Sequence, residues 1–192
     1  MKYILTAALL FLTTSSIRAG DCKQKVTIDS VAYTVPAWWC NRAIDSSAIP
    51  EVGDFMRLPT DFCYNDSKIY VRKDAGEAFV KMARAAAKDS VFIKVKSGFR
   101  SVQYQKSLFR KYLSDGTPFN KVAELVAPPG YSQHHTGRAF DLARGGLRFD
   151  KSKAYTWLKK NAAKYGFVES YPKDSKSGIR WEPWHWYYEG MK

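Results

Sequence analysis

The sequence predicts an α+β fold: one domain with a small antiparallel sheet flanked by helices, preceded by an irregular cysteine-containing N-terminal region. Three observations carry this. Short β-branched runs and amphipathic helical runs are mixed without a regular strand–helix–strand alternation. The chain of 192 residues shows neither internal repeats nor low-complexity segments. All three cysteines, Cys22, Cys40 and Cys63, fall in its N-terminal third.

The first element is a leader. Lys2 supplies a positive start, Tyr3 to Leu12 form an apolar run, and a polar stretch ends at Ala19. That run is too short to cross a bilayer, so residues 1–19 are expected to be a cleaved signal peptide. Asp21 directly before Cys22 is unsuited to a lipidation site. No later stretch is long and apolar enough for a membrane span, and the protein is expected to be exported, periplasmic or secreted.

Residues 20–70 form the N-terminal extension. Lys25–Ile28 and Val31–Val35 alternate around Asp29-Ser30, which predicts a hairpin, with Trp38 and Trp39 docking it on the core. Residues 71–192 hold the remaining elements. A helix is expected over Asp74–Ser90, with Asp74 as its cap and Phe79, Met82 and Ala86 on one face. A strand Val91–Val95 follows and leads to Ser97-Gly98-Phe99-Arg100-Ser101. Ser101 then caps a second helix to about Leu113, with a Tyr104, Leu108 and Tyr112 stripe, and a short helix covers Asn120–Val126. Gly137–Leu142 is expected as a strand, Lys151–Tyr165 as a helix ended by Gly166, and Phe167-Val168 and Trp181–Tyr188 as the last strands.

Charge and cysteines narrow the setting. The chain carries a formal +13; without Lys2 and Arg18, 29 basic residues face 18 acidic ones, leaving +11. Such a balance favours polyanionic surroundings, with anionic cell-wall polymers as possible partners. Export argues against nucleic acid, and a monomer is expected. An oxidising compartment favours a disulfide; Cys22–Cys40 is preferred because it closes a loop around the hairpin, with Cys40–Cys63 as the rival.

The three histidines concentrate in two motifs, Ser132-Gln133-His134-His135-Thr136-Gly137-Arg138-Ala139-Phe140-Asp141 and Glu182-Pro183-Trp184-His185-Trp186. A catalytic zinc wants three nitrogen or oxygen ligands and one open position. His134, Asp141 and His185 supply that set, with the Gly137 turn needed to bring the chain back between the first two. His135 should point away from His134 and be a non-ligand. Glu182 is left free to move protons, and the set as a whole points to a hydrolase. Arg100, where a strand hands over to a helix, suits an oxyanion or a substrate carboxylate. Gln105 lies on the same helix, and Ser132 sits two residues before His134.

Together these residues resemble the VanY-like D-alanyl-D-alanine carboxypeptidases, the M15 zinc metallopeptidases of bacterial cell walls. The motifs are Ser97-Gly98-Phe99-Arg100-Ser101 with Tyr104-Gln105, Ser-x-His-x-x-Gly-x-Ala-x-Asp at 132–141, and Glu182-Pro183-Trp184-His185. The resemblance covers about residues 70–190. It implies zinc on His134, Asp141 and His185, Glu182 as catalytic base, and Arg100 stabilising substrate or intermediate. Ser132 and Gln105 are implied to bind the terminal D-residue, and Tyr171 matches a pocket tyrosine. His135 and Arg138 depart from the usual pattern. The implied reaction removes C-terminal D-alanine from peptidoglycan stem peptides. Its rivals are an L,D-carboxypeptidase, a D,D-dipeptidase, an endopeptidase, and a wall-binding module without catalysis.

Overall fold

A computed structural model describes residues 22–143 and 148–191, so the expected leader lies outside the described residues. The twelve regular elements among these residues are strands β1 (Lys25–Ile28), β2 (Val31–Thr34), β3 (Phe55–Arg57) and β4 (Tyr70–Arg72), helix α1 (Lys73–Lys88), β5 (Val95–Ser97), α2 (Val102–Ser114), α3 (Phe119–Leu125), β6 (Ala139–Leu142), α4 (Lys153–Asn161), β7 (Phe167–Glu169) and β8 (His185–Tyr188). The fold is α+β.

The central sheet has the order β5-β6-β8-β7, with every pair antiparallel. Its pleat separates two faces. Phe140, Leu142, Trp186 and Tyr188 point into the main core, where α1 lays Phe79, Met82 and Ala86 against them. Phe79 is fully buried, stacked on Phe140 at 5.0 Å and edge-on to Phe167 at 6.3 Å. Alternate residues Asp141 and His185 face the other way, and they pair directly across β6 and β8.

One irregularity serves the site. Val95 pairs with Leu142, but Ser97 pairs with Asp141, and the register shifts between them. Leu142 and Asp141 lie on opposite faces, so the bulge lets Val95 join the core while Ser97 turns to Asp141. The expected strand Val91–Val95 is therefore displaced. Its alternation is real, with Val91 and Ile93 buried and Phe92 exposed, but the ladder begins at Val95, opposite Leu142.

The hairpin forms as expected, with Asp29 and Ser30 both at positive φ in its two-residue turn. A second core joins it to the α2–α3 pair: Val26, Ile28, Val35 and Trp39 pack with Phe109, Phe119 and Val122. Cys22 and Cys40 are disulfide-bonded and Cys63 is a buried free thiol. β3 pairs with β4, and Leu58, Cys63 and Ile69 enter the main core, so residues 55–70 pack with the sheet rather than with the hairpin.

Helix ends differ in one instructive place. Ser101 caps α2 by accepting from the Tyr104 amide at 3.0 Å, and Ser152 caps α4 from Tyr155 at 3.1 Å. Asp74, expected as the cap of α1, sits inside it instead, because β4 runs straight into the helix and leaves Arg72 at the cap position. Its carboxylate takes Arg138 at 2.7 Å and Arg72 at 3.4 Å. Lys151–Tyr165 is also not one helix. A turn at Phe149–Lys151 precedes α4, and Ala162–Tyr165 tighten before Gly166 at φ 78°.

Candidate active site

The site is assembled from three chain segments that meet on the face of the sheet opposite α1. Ser132 opens a short helical turn, Gln133–Thr136, by accepting from the His134 amide at 3.3 Å. Gly137 ends it at φ 67°, and a Cβ there would stand 3.0 Å from the Arg72 amide nitrogen. Only glycine fits both conditions. The chain then enters β6, which delivers Asp141 beside His185 of β8.

Each histidine is oriented by its outward nitrogen. His134 Nδ1 lies 2.5 Å from the carbonyl oxygen of Gly98 and must carry its proton there, which leaves Nε2 facing Asp141 Oδ2 at 3.2 Å. His185 Nε2 faces Gln133 Oε1 at 3.0 Å, which leaves Nδ1 facing Asp141 Oδ1 at 3.0 Å. One ligand atom from each of His134, Asp141 and His185 lies within 4.8 Å of the others. Two imidazole nitrogens and a carboxylate oxygen, with both rings locked from behind, are the donor set and outer support that zinc takes. Zinc fits.

Burial drives His134 down to about 4, so its ring is neutral at pH 7 and has a lone pair to give. Burial works against the charge on Asp141, yet His134 and His185 hold its carboxyl well below the usual range. Glu182 moves the other way. Burial raises its pKa, with His185 opposing and Asp141 adding to the rise. Its Oε2 stands 3.8 Å from His185 Nδ1, and a turn closed by His185 N donating to Glu182 O at 2.9 Å holds the two together. The Glu182 amide donates to Tyr171 O at 3.1 Å.

A cleft of about 490 Å³ contains Arg100, Ser132, His134, Asp141, Tyr171, Glu182 and His185. Arg100 donates from Nε to Ser97 Oγ at 2.9 Å and pairs closely with Asp141 Oδ2. Tyr171 tilts against the His185 ring at 4.9 Å. Tyr104, Leu108 and Tyr112, the stripe expected on α2, form a wall of this cleft while Gln105 and Phe109 are the buried side of the helix. Gln105 is the one singled-out residue not brought to the cleft. It is fully buried, its Nε2 donates to Ala127 O at 2.8 Å, and Ala127 stands in the wall in its place.

His135 turns away from the other two rings. Its Nδ1 meets Arg100 O at 2.7 Å, and Nε2 accepts from the Gly130 amide at 3.1 Å, so it ties two site loops together. Arg138 points to Asp74 and lies 5.9 Å from the Tyr188 ring centre. Three residues here were not legible as functional: Gln133, Ser97 and Trp39. The first two lay inside motifs read for other residues. Trp39 is far in sequence, yet its indole donates to Ala123 O at 2.9 Å and its ring meets Tyr171 edge-on at 6.2 Å.

The profile of the VanY family, described as D-alanyl-D-alanine carboxypeptidase, matches residues 68–191. The D-alanyl-D-alanine carboxypeptidase of Enterococcus faecium is 34% identical over 130 residues, covering 66% of this chain and 40% of that protein. The chain spans about half the length or less of the curated relatives it matches, the carboxypeptidase YodJ of Bacillus subtilis and the D-alanyl-D-alanine carboxypeptidases of two enterococci. Among solved structures, the LdcB LD-carboxypeptidase superposes with a TM-score of 0.69 at 30% identity, covering 88% of this chain and 85% of its own. A VanY D,D-pentapeptidase variant in complex with Zn(II) gives 0.54 at 25% identity, with 70% and 84% covered. The chain belongs to the VanY D-alanyl-D-alanine carboxypeptidase family.

Proposed function

We propose that this protein is a zinc carboxypeptidase that hydrolyses the C-terminal D-alanine from peptidoglycan stem peptides. The observation that carries the reading is the convergence of His134, Asp141 and His185 in one cleft, with Glu182 beside them. The cofactor is zinc, held by those three side chains. When bound it supplies Lewis acidity, which polarises a carbonyl and lowers the pKa of a water.

The remaining chemistry belongs to the protein. Glu182 is the proton carrier: it takes a proton from the attacking water and delivers it to the leaving amine of D-alanine. Its raised pKa suits that double duty, since a stronger base accepts the proton more readily and still releases it. Arg100, held by Ser97, offers a fixed cation for negative charge that develops on the scissile carbonyl or for the terminal carboxylate. Ser132 and Tyr171 line the same cleft and complete the pocket for the terminal residue, with Gln105 supporting its wall through Ala127. Trp184 and Tyr171 line the cleft beside His185.

The substrate of this chemistry lies outside the cytoplasm, where stem peptides are exposed, and the export-like N-terminus and the charge of +11 left without it are consistent with anionic cell-wall surroundings. A second reading, removal of D-alanine from a tetrapeptide by L,D cleavage, is favoured by the extent of the LdcB match, which reaches 88% of the chain. Incubating zinc-loaded protein with defined pentapeptide and tetrapeptide muropeptides, with products read by mass spectrometry, separates them. Loss of alanine from the pentapeptide alone is the D,D result; loss from the tetrapeptide assigns L,D; cleavage of neither rejects both.

A further inference from the structure

The catalytic cleft does not end at Arg100. A second cavity of about 370 Å³ shares Lys96, Ser97, Arg100 and Tyr104 with it and continues toward Lys68 and Tyr70. The two differ in charge. The catalytic cleft has Glu124, Asp141 and Glu182 in its wall. The extension is lined by Lys68, Lys96 and Arg100, and among the described residues no carboxylate lines it. Arg100 is already paired with Asp141, but no described residue forms an ion pair with Lys68 or Lys96. Tyr70 and Tyr104, 49% and 54% exposed, stand at its rim and offer flat surfaces for an extended chain.

Lys68 in the extension and Lys96 at its junction with the catalytic cleft, neither ion-paired among the described residues, raise the local potential and favour an anion there. Ser132 and Tyr171, assigned above to the terminal residue, line the catalytic cleft and not the extension, so we infer that Lys68 and Lys96 form a carboxylate subsite for the acyl side of the substrate and that the enzyme selects stem peptides carrying a free carboxylate before the scissile bond. This rests on the carboxypeptidase reading and adds a substrate class to it. Lys96 is placed to act first, since it lines both cavities, whereas Lys68 lines only the extension. The rim tyrosines would hold the peptide backbone between the two charges, and the hydroxyl of Ser101 is spent on the α2 cap rather than on substrate.

The test uses two stem peptides with the same free C-terminus, one with its internal carboxylates free and one with them converted to carboxamides. Zinc-loaded full-length protein should show a KM about tenfold lower for the free acid, with similar kcat, the size expected of one charge-assisted contact. Lys68→Ala/Lys96→Ala should erase the difference by raising KM for the free acid alone, at unchanged zinc content, and Lys96→Glu should invert it. Equal KM values for both peptides in the wild type would overturn the subsite while leaving the carboxypeptidase reading intact. So would a double variant that weakens both peptides alike. A selective loss of binding to a phosphate-bearing wall polymer, with peptide preference unchanged, would overturn it in favour of that occupant. Cleavage of neither peptide would sink the carboxypeptidase reading instead; calorimetric binding of the two peptides to the Glu182→Gln protein then still tests the subsite by the same ratio.

Discussion

At the scale of single residues, the site depends on backbone positions as much as on donors. Gly137 sits between His134 and Asp141 at φ 67°, with the Arg72 amide where a side chain would go. Gly137→Ala should cost about 1–2 kcal/mol from the left-handed conformation alone. It should also weaken zinc binding, because the two ligands flank the strained turn. Denaturant unfolding and a zinc titration check the two effects; a variant with unchanged zinc affinity would show that the turn is not what aligns His134 with Asp141. The convergence of His134, Asp141 and His185 was legible in the sequence, because the histidines and a neighbouring carboxylate fall in two short motifs. Gln133 and Ser97 were not, since what makes them matter is a facing atom: the outward nitrogen of His185 for one, the Arg100 guanidinium for the other. Gln105 shows the reverse. It matched a motif, but helix α2 turns its amide into the wall rather than into the cleft.

At the scale of elements, α1, α2 and the hairpin follow their sequence signals, whereas α4 is shorter than its own and β5 and β8 begin later than theirs. A helix is a local object, so the buried face of α1 could be read from Phe79, Met82 and Ala86. A strand's limits depend on its partner, and β5 starts where Leu142 begins to pair rather than where the β-branched run begins. Asp74 was lost as a cap for the same kind of reason, since the β4–α1 junction leaves no loop for it. The N-terminal segment was the least legible element. It reaches the site through Trp39, which is anchored to Ala123 and leans on Tyr171, and the adjacent Cys40 is tied to Cys22 across 18 residues. Trp38 adds a contact to the loop before Glu182, where a Cβ on Gly178 would lie 2.9 Å from its own Cβ. Replacing both cysteines by serine should cost about 3 kcal/mol, the usual size for a loop of that length. The variant should keep its zinc and lose substrate affinity several-fold as the Trp39–Tyr171 wall loosens. An unchanged KM at reduced stability would confine the disulfide to a structural role.

At the scale of the whole molecule, two cores meet at the cleft, one under the sheet and one under the hairpin. Phe79 carries much of the first, and Phe79→Ala should cost about 3–5 kcal/mol by the cavity it leaves among Phe62, Phe140 and Phe167, measured by denaturant unfolding. The buried imidazoles make stability depend on pH in a defined direction. Burial holds His134 at about 4 and also lowers His135, against 6.5 for the unfolded chain. The unfolded state therefore binds protons first, so metal-free protein should be fully stable above about pH 6.5 and lose stability as pH falls toward 4. Zinc should raise the melting temperature at neutral pH, by less as the solution is made acidic, because protons compete for the same nitrogens. A melting temperature that stays flat from pH 7 to 4 without metal would contradict the buried neutral rings.

The proposed catalysis turns on a division of labour in which His134, Asp141 and His185 hold zinc while Glu182 moves protons. The most direct test compares release of D-alanine by wild-type and Glu182→Ala protein, each brought to the same measured zinc content. A fall of about 10²- to 10⁴-fold in turnover at equal zinc is the predicted result. Near wild-type turnover in Glu182→Ala, or loss of its zinc, would contradict the assignment.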